Sequence, residues 1–109
     1  MLFDIKSAST SVPYNRRVVS ATGSVLVTDD IVAANTLASA MTLTLPVIST
    51  IPGYKQVVFV DEGGNASVNN ITIAAGAGDT ILGGTSVIIS GDYNAYRVYN
   101  DGVSKWFIF

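Results

Sequence analysis

Acidic side chains are the first candidates for chemistry, because two carboxylates can act as general acid and general base. Glycoside hydrolysis needs two such groups about 5–10 Å apart across a cleft. The pairs to consider combine Asp61 or Glu62 with Asp79 or Asp92, and their separation along the chain leaves the distance in the fold open. The adjacent carboxylates of Asp29–Asp30 do not form such a pair, since neighbours on a strand point to opposite faces.

Oxygen-bearing side chains also crowd one short segment, the Asp61–Asn70 loop, and oxygen ligands of this kind suit Ca²⁺. The spacing differs from that of the calcium loop of helix–loop–helix proteins, and Asp and Asn are equally common in ordinary turns. An ion site and a purely structural loop therefore both stay open here. The side chains concerned are Asp61, Glu62, Asn65, Asn69 and Asn70.

The sequence lacks the residues that most other catalytic or metal-binding sites need. The chain of 109 residues has no histidine and no cysteine, which removes the commonest general base, imidazole and thiolate metal ligands, and thiol nucleophiles. The glycine-rich segment from Gly76 to Gly84 lacks the spacing of a dinucleotide or phosphate loop and predicts tight turns around a short strand. Apart from the ion left open in the Asp61–Asn70 loop, the sequence thus predicts no enzyme, no metal site and no cofactor.

The charge and the hydropathy of the chain limit the classes of partner that we expect it to bind. Six basic residues are scattered and the net charge is −2, so no basic stripe for nucleic acid is expected. Apolar runs are far shorter than the about 20 residues that span a membrane, so no membrane partner is expected. A mean hydropathy of +0.44 with 13% charged residues indicates surplus apolar surface, which on a small domain favours a partner or another copy of the chain.

Strands must position all of these groups. Val, Ile and Thr number 34 against six Leu, and apolar residues alternate in twos, which predicts an all-β domain. The expected architecture is a small antiparallel β-sandwich, jelly-roll-like, or a β-prism. We predict ten strands, at about 17–20, 24–28, 31–34, 41–45, 55–60, 70–74, 80–81, 86–90, 95–99 and 105–109.

Three features of these elements are specific. The Tyr54–Ala75 block reads as two strands around the polar loop, either a hairpin or an arch. Asp101-Gly102 between the last two strands is a strong hairpin signal. The Ala-rich segment from Ala33 to Met41 is the one place where a short helix is an alternative to strand and loop.

The two ends of the chain supply candidates for contacts with other molecules. Residues 1–15 are read as an N-terminal arm before a single β domain at 16–109. They form either a frayed terminus or an arm whose apolar anchor reaches a neighbouring subunit. The anchor residues are Leu2, Phe3 and Ile5.

The last strand is apolar on both faces, which is typical of a strand buried on both sides or packed between subunits. Trp106 is expected to face one way and Phe107 and Phe109 the other. The candidates for a subunit interface are Trp106, Phe107 and Phe109. Five Tyr and one Trp also leave a sugar-binding aromatic face as an alternative, so a glycan is a further candidate partner.

Four motifs in order carry a resemblance: TLTLP from Thr42, YKQVVFVDEGGNASVNNITI from Tyr54, GDTILGG from Gly78 and NDGVSKWFIF from Asn100. Together they resemble a β domain of tailed-bacteriophage virion proteins, met in capsid decoration (cement) proteins, head fibres and tail fibres. The resemblance covers about residues 20–109. It implies an all-β sandwich or prism without catalytic residues, commonly a homotrimer. Trp106, Phe107 and Phe109 are then the candidates for the trimer interface. Leu2, Phe3 and Ile5 are the candidates for attachment to the capsid or to a neighbouring subunit.

The resemblance leads to two functional hypotheses. The first is a decoration protein that binds the outer surface of the head as a homotrimer, contacts the major capsid protein or another virion protein, and stabilises the shell. The second is a receptor- or glycan-binding module of a head or tail fibre. In the first case the protein is made in the host cytoplasm and ends on the capsid surface of the virion.

Overall fold

The computed structural model describes residues 14–109, which form ten strands and one 3₁₀ helix. The all-β prediction is confirmed, and each predicted strand has an observed counterpart. The 3₁₀ helix, which the sequence did not predict, spans Ile48–Thr50. The strands are β1 (Arg16–Val19), β2 (Gly23–Ser24), β3 (Ile31–Ala34), β4 (Met41–Thr44), β5 (Gln56–Asp61), β6 (Ile71–Ala74), β7 (Thr80–Ile81), β8 (Ser86–Ile89), β9 (Ala95–Asn100) and β10 (Lys105–Ile108).

The strands make two sheets that face each other. One sheet has six strands in the order β1-β3-β5-β9-β10-β7, and the other has four in the order β2-β4-β6-β8. From β1 to β9 the chain enters the two sheets alternately, so that it winds back and forth between two layers. Neighbours within a sheet are therefore mostly separated by one strand of the opposite sheet.

This winding overturns the expectation of antiparallel pairing. Five strand pairs are parallel, namely β1–β3, β3–β5, β2–β4, β4–β6 and β7–β10. The pairs β5–β9, β9–β10 and β6–β8 are antiparallel. A parallel pair needs a crossover connection, and here the crossover passes through the other sheet instead of through a helix. The fold is a two-layer β-sandwich, as predicted, but its strands run in mixed directions.

Particular local predictions can now be compared with the fold. The Tyr54–Ala75 block is an arch, because β5 belongs to the six-stranded sheet and β6 to the four-stranded sheet. The Asp101-Gly102 hairpin is confirmed between β9 and β10, and Gly102 has a φ of 81°. The segment from Ala33 to Met41 contains the end of β3, a loop and the start of β4, so it is not helical.

The core lies between the two sheets and follows the period of two within each strand. In β4, Met41 and Leu43 are buried while the threonines between and after them face outward. The four-stranded sheet adds Ile71, Ile73 and Ile89 to this core. The six-stranded sheet contributes Val32, Val57, Phe59, Val98 and Trp106.

Among residues 14–109, no helix is long and apolar enough to cross a membrane.

Candidate functional site

The two faces of β10 have different roles. Trp106 is opposite Asn100 in β9 and lies in the core with 0% of its surface exposed. Phe107 pairs with Tyr99 on the outer side of the sheet, and Phe109 follows it there with 46% exposed. Trp106 is therefore not available for a subunit interface while the core is intact. Phe107 and Phe109 are the two candidates of this strand that a partner can reach.

An aromatic cluster forms on that outer side. The ring of Tyr99 lies 5.7 Å from that of Phe107 and 5.2 Å from that of Phe109, centroid to centroid, and the second pair meets edge to face. The guanidinium of Arg97 lies 4.6 Å from the centre of the Phe109 ring, a cation–π contact. Aromatic residues and Arg are the types enriched in protein–protein interfaces.

Aliphatic side chains extend this cluster across the six-stranded sheet. Strand register places Ile31 beside Val58 and Ala33 beside Val60, with Val18 of β1 next to Ala33. We call this surface the outer face. It consists of Val18, Ile31, Ala33, Val58, Val60, Ala95, Arg97, Tyr99, Phe107 and Phe109.

The ion pair between Arg16 and Glu62 crosses the outer face above the small side chain of Ala33. Arg16 is in register with Ile31, and Glu62 follows Asp61, which is in register with Ala34. The two charged groups are hydrogen-bonded, with Arg16 Nε 3.0 Å from Glu62 Oε2, so the pair spans Ala33 between them. The Ala33 methyl group is small enough to be covered completely.

The opposite surface of the sandwich is chemically different. The outward positions of the four-stranded sheet carry mainly hydroxyl-bearing side chains, and Ile88 is its large apolar exception. The apolar outer surface therefore belongs to the six-stranded sheet. The outward residues of the four-stranded sheet are Ser24, Thr42, Thr44, Thr72, Ala74, Ser86 and Ile88.

Two open grooves lie on the outer face. The larger, of about 330 Å³, we call the Tyr14 groove; Ile31 and Val58 are among its lining residues, and Lys55 and Asp30 form an ion pair of 2.7 Å beside them. The hydrogen bond from Lys55 holds the pKa of Asp30 below its usual value, with help from the Asn15 N–H. The Tyr14 groove is lined by Tyr14, Asp30, Ile31, Lys55, Gln56, Val58 and Arg97.

The second groove, of about 280 Å³, we call the Val18 groove. It combines the apolar side chains of Val18, Ala33 and Leu37 with the Arg16–Glu62 ion pair. Val58 is the last residue of the β5 segment that lines the Tyr14 groove, and Glu62, four residues or about 13 Å further on, is the first that lines the Val18 groove. The two grooves therefore follow one another in the strand direction.

Asp61 has a structural role that its position in the sequence does not reveal. Its carboxylate points inward and is fully buried, and it accepts four hydrogen bonds. Oδ1 accepts from Thr36 Oγ1 at 2.6 Å and from the Gly64 N–H at 3.1 Å. Oδ2 accepts from the N–H groups of Ala66 at 2.9 Å and Tyr93 at 3.0 Å. Burial favours the neutral acid, but the four hydrogen bonds together hold the pKa of Asp61 below its usual value.

Three other side chains of the Asp61–Asn70 loop also make contacts within the fold. Glu62 pairs with Arg16, and the side-chain amides of Asn69 and Asn70 donate to the backbone oxygens of Thr36 and Ala66. Within residues 14–109, no three acidic, His or Cys side chains converge as a metal site would need. The loop is held together by hydrogen bonds to Asp61.

The other candidate carboxylates each have their own hydrogen-bond donors in the fold. Asp29 is buried and accepts two hydrogen bonds from Arg17, at 2.9 and 2.7 Å, while Asp30, next to it in the loop before β3, pairs with Lys55. Burial by itself raises the pKa of Asp29. The hydrogen bonds from Arg17 and the Leu26 N–H outweigh this effect, so the pKa of Asp29 lies below its usual value. Asp79 accepts from the Ile48 N–H and Asp92 from the Ser67 N–H, so both stabilise turns.

The tyrosines do not share one face. Tyr96 packs against the core and Tyr99 belongs to the aromatic cluster of the outer face. Tyr14 lines the Tyr14 groove near the start of β5, whereas Tyr93 contacts Asp61 at the end of β5. A single aromatic platform for a sugar is therefore absent from the described part of the chain. The apolar anchor residues Leu2, Phe3 and Ile5 lie outside the described residues.

The sequence contained a signal for the outer face that the strand predictions did not use. Val58 and Val60 alternate with core residues in β5, and Arg97 and Tyr99 do so in β9. Apolar and aromatic residues at both alternating positions indicate a strand with two covered faces. The identity of the neighbouring strands was needed to join these positions into one surface.

Comparison with known families identifies the class of protein to which this chain belongs. The sequence model of the family described as bacteriophage T4 gp9/10-like protein, N-terminal, matches residues 8–101. The chain belongs to this family. The gp9/10-like match confirms the resemblance to a tailed-phage virion β domain, and it makes this chain a structural protein of the virion that assembles with other virion proteins. No curated protein matches it.

The extent of the gp9/10-like match separates two groups of candidate contact residues. Strands β1 to β9 lie within the matched residues, together with Val18, Val58 and Tyr99 of the outer face. β10, with Phe107 and Phe109, lies beyond the match, as do Leu2, Phe3 and Ile5. The body of the sandwich is the part that this family shares.

Proposed function

We propose that this gp9/10-like chain is a non-enzymatic decoration protein of a phage head. It assembles as a homotrimer, binds the major capsid protein on the outer surface of the capsid, and stabilises the shell. The observation that carries the proposal is the outer face, an apolar and aromatic sheet surface on a small domain whose other sheet presents hydroxyl groups. The described carboxylates support the fold, which agrees with a mechanical role.

The physical effect is added contact area between neighbouring shell subunits. Packaged DNA presses outward on the shell, and a protein that bridges adjacent subunits opposes their separation. A trimer that holds several sites at once gains effective concentration, so modest contacts at each site give firm attachment. The Phe107–Tyr99–Phe109 cluster supplies the rigid aromatic area that such contacts favour.

The test is binding to purified shells that lack the protein. The full chain is expected to coat such shells to saturation and to raise their temperature of disruption. Phe109→Ser is expected to weaken coating at least about tenfold, since burial of such a side chain contributes about 1.5–3 kcal/mol. Ile88→Ser is the matched control on the other sheet, because the two side chains have 46% and 49% of their surface exposed. Equal coating by both variants would count against the outer face as the attachment surface.

A receptor- or glycan-binding fibre module is the second candidate, and the Tyr14 groove favours it. There a ring that is 70% exposed stands beside the polar groups of Asp30, Lys55, Gln56 and Arg97, a combination suited to stacking and hydrogen bonding with a sugar. A glycan array with the full chain tests this reading. A specific hit that is lost in Tyr14→Ala and kept in Tyr93→Ala, whose ring is 72% exposed at the other end of β5, would place this function first.

A further inference from the structure

The lining of the Tyr14 groove carries one more positive than negative charge. Among the described residues that line it, Lys55 and Arg97 are the cations and Asp30 is the carboxylate. Asp30 and Lys55 form an ion pair of 2.7 Å and are largely covered by their surroundings. Arg97 is exposed, so its guanidinium is the charge of this groove that a ligand can reach.

Strand register fixes where this charge lies. Ile31, Val58 and Arg97 stand side by side on β3, β5 and β9. Neighbouring strands are about 4.8 Å apart, so the backbone of Arg97 lies about 10 Å from β3. The guanidinium carbon of Arg97 is 4.6 Å from the centre of the Phe109 ring, a contact that holds the charge in place without using its N–H donors. These donors are left for an acceptor.

Tyr14 approaches the groove from the β3 side. The backbone oxygen of the next residue, Asn15, accepts hydrogen bonds from the N–H groups of Asp30 at 3.1 Å and Ile31 at 2.9 Å. The Asn15 N–H in turn donates to Asp30 Oδ2 at 2.8 Å. Three hydrogen bonds therefore fix the backbone beside Tyr14, whose ring is largely exposed. Ile31 and Val58 supply the apolar part of the lining between this side and Arg97.

We propose that the Tyr14 groove binds a carboxylate-bearing sugar unit, with the carboxylate on Arg97 and the sugar ring on Tyr14. A guanidinium binds a carboxylate through two parallel N–H···O hydrogen bonds. The C–H face of a sugar ring suits the aromatic face of Tyr14, and its hydroxyl groups suit the Gln56 amide and the Asp30 carboxylate. The volume of about 330 Å³ is at the lower end of small-molecule sites, which suits a single sugar unit.

The charge of Arg97 distinguishes this ligand from a neutral sugar. A neutral sugar can use the ring and the polar groups of the groove, but it leaves the guanidinium to water. The net charge of the chain is −2, so attraction of an anion has to come from this local site and not from the surface as a whole. This inference rests on the glycan-binding candidate of the proposed function and specifies its class of sugar. It does not depend on attachment to a capsid.

Titration of the isotope-labelled full chain, followed by NMR of its backbone amides, tests the site. The probes are glucuronic acid and galacturonic acid, each paired with glucose or galactose, in which a CH₂OH group replaces the carboxylate. Acetate is the probe that carries a carboxylate without a sugar. At least one acid is expected to shift the amide signals of Val58 and Arg97. It should saturate the site at a concentration about tenfold or more below that of its neutral counterpart, because hydrogen bonds to charged groups are the stronger ones.

Substitutions assign the two halves of the ligand to their residues. Arg97→Gln is expected to remove the preference for the acid, so that acid and neutral sugar bind equally. Lys105→Gln is the matched control, because Lys105 is also an exposed cation but does not line the groove, and it should keep the full preference. Tyr14→Ala is expected to weaken both sugars by the same factor, since it removes the ring and leaves the charge. The amide spectrum of each variant shows whether its fold is intact, and an equal preference in the Arg97 and Lys105 variants would overturn the proposal.

The outcomes separate this inference from the proposed function. Equal affinity of the unmodified protein for acid and neutral sugars would keep the glycan-binding candidate and overturn the assignment of an acidic sugar. Binding of acetate as strong as that of the sugar acid would reveal a site for anions alone and overturn the assignment of a sugar. If no sugar shifts the groove amides, both the inference and the glycan-binding candidate are wrong, whereas the capsid role is unaffected.

Discussion

Asp61 is the residue whose replacement tests the structural argument most directly. Its buried carboxylate joins three segments that are distant in sequence, through Thr36, the loop at Gly64 and Ala66, and Tyr93. Asp61→Asn preserves the shape of the side chain and removes its charge. One of the two oxygens becomes an NH₂ group, which cannot accept a hydrogen bond.

The magnitude follows from the four donors. Each oxygen accepts two hydrogen bonds, so whichever oxygen is replaced, two donors lose their acceptor and face another donor. A buried unsatisfied donor costs about 1–3 kcal/mol, so we expect a loss of about 2–6 kcal/mol in the free energy of unfolding. For a domain of this size, about 1 kcal/mol lowers the melting temperature by about 4 °C, which gives a decrease of about 8–24 °C.

The assay is urea and thermal denaturation at pH 7, followed by tryptophan fluorescence, since Trp106 is the single Trp and lies in the core. Glu62→Gln is the matched control, because it removes the adjacent charge from an exposed ion pair, and we expect no measurable change. A decrease of less than about 4 °C for Asp61→Asn, or a decrease equal to that of the control, would refute the assignment of Asp61 as the centre of this loop.

Three further predictions follow from the same contacts. The unfolding free energy of the unmodified protein is expected to be constant between pH 7 and 5 and to fall below about pH 4. The reason is that the pKa values of Asp61 and Asp29 are lower in the folded chain than in the unfolded chain, so the unfolded chain binds more protons as the pH falls. In urea denaturation at a series of pH values, Asp61→Asn should show a weaker decline of this free energy, and an unchanged decline would contradict the prediction. Arg17→Ala leaves the buried Asp29 without its two guanidinium hydrogen bonds and is expected to lower the free energy of unfolding by about 1–3 kcal/mol. Arg16→Ala, in an exposed ion pair, should leave the urea midpoint unchanged. Similar losses of unfolding free energy in both variants would argue against the burial of Asp29. Gly63→Ala places a methyl group 2.5 Å from the Thr36 backbone nitrogen and is expected to lower the free energy of unfolding by about 1–3 kcal/mol. Gly23→Ala is the control, because its methyl group meets nothing within 4 Å and should leave the free energy unchanged in the same denaturation assay. Equal effects of the two substitutions would refute the close approach at Gly63.

The strand positions could be predicted because their signals are local. Alternation in Met41–Thr44 and the Asp101-Gly102 turn each depend on residues a few positions apart, and the structure has a strand pair or a buried face at both places. The direction of pairing could not be predicted in this way. It depends on which strand lies beside which, and β1 finds β3 only because β2 crosses to the opposite sheet.

The roles of individual polar residues were similarly out of reach. In the sequence, Asp61 and Glu62 are equivalent members of an acidic loop. In the fold, Asp61 is the last residue of β5 on its inward side and Glu62 lies outside, so one is buried among donors and the other pairs with Arg16 in solvent. The difference is one step of the strand alternation, and the partners that complete it come from Thr36 and Tyr93, far along the chain.

The sequence by itself determined that this protein is an all-β domain, where its strands lie, and that the chemistry of His and Cys is absent from it. These properties depend on composition and on short-range alternation, which are present in the unfolded chain. The tertiary structure alone decided that the sheets are mixed, that Trp106 faces the core while Phe107 and Phe109 face outward, and that the apolar outer surface belongs to the six-stranded sheet. A strand that is apolar on both sides is symmetric in its own sequence, and only the packing of the second sheet against one side makes the other side a surface for a partner.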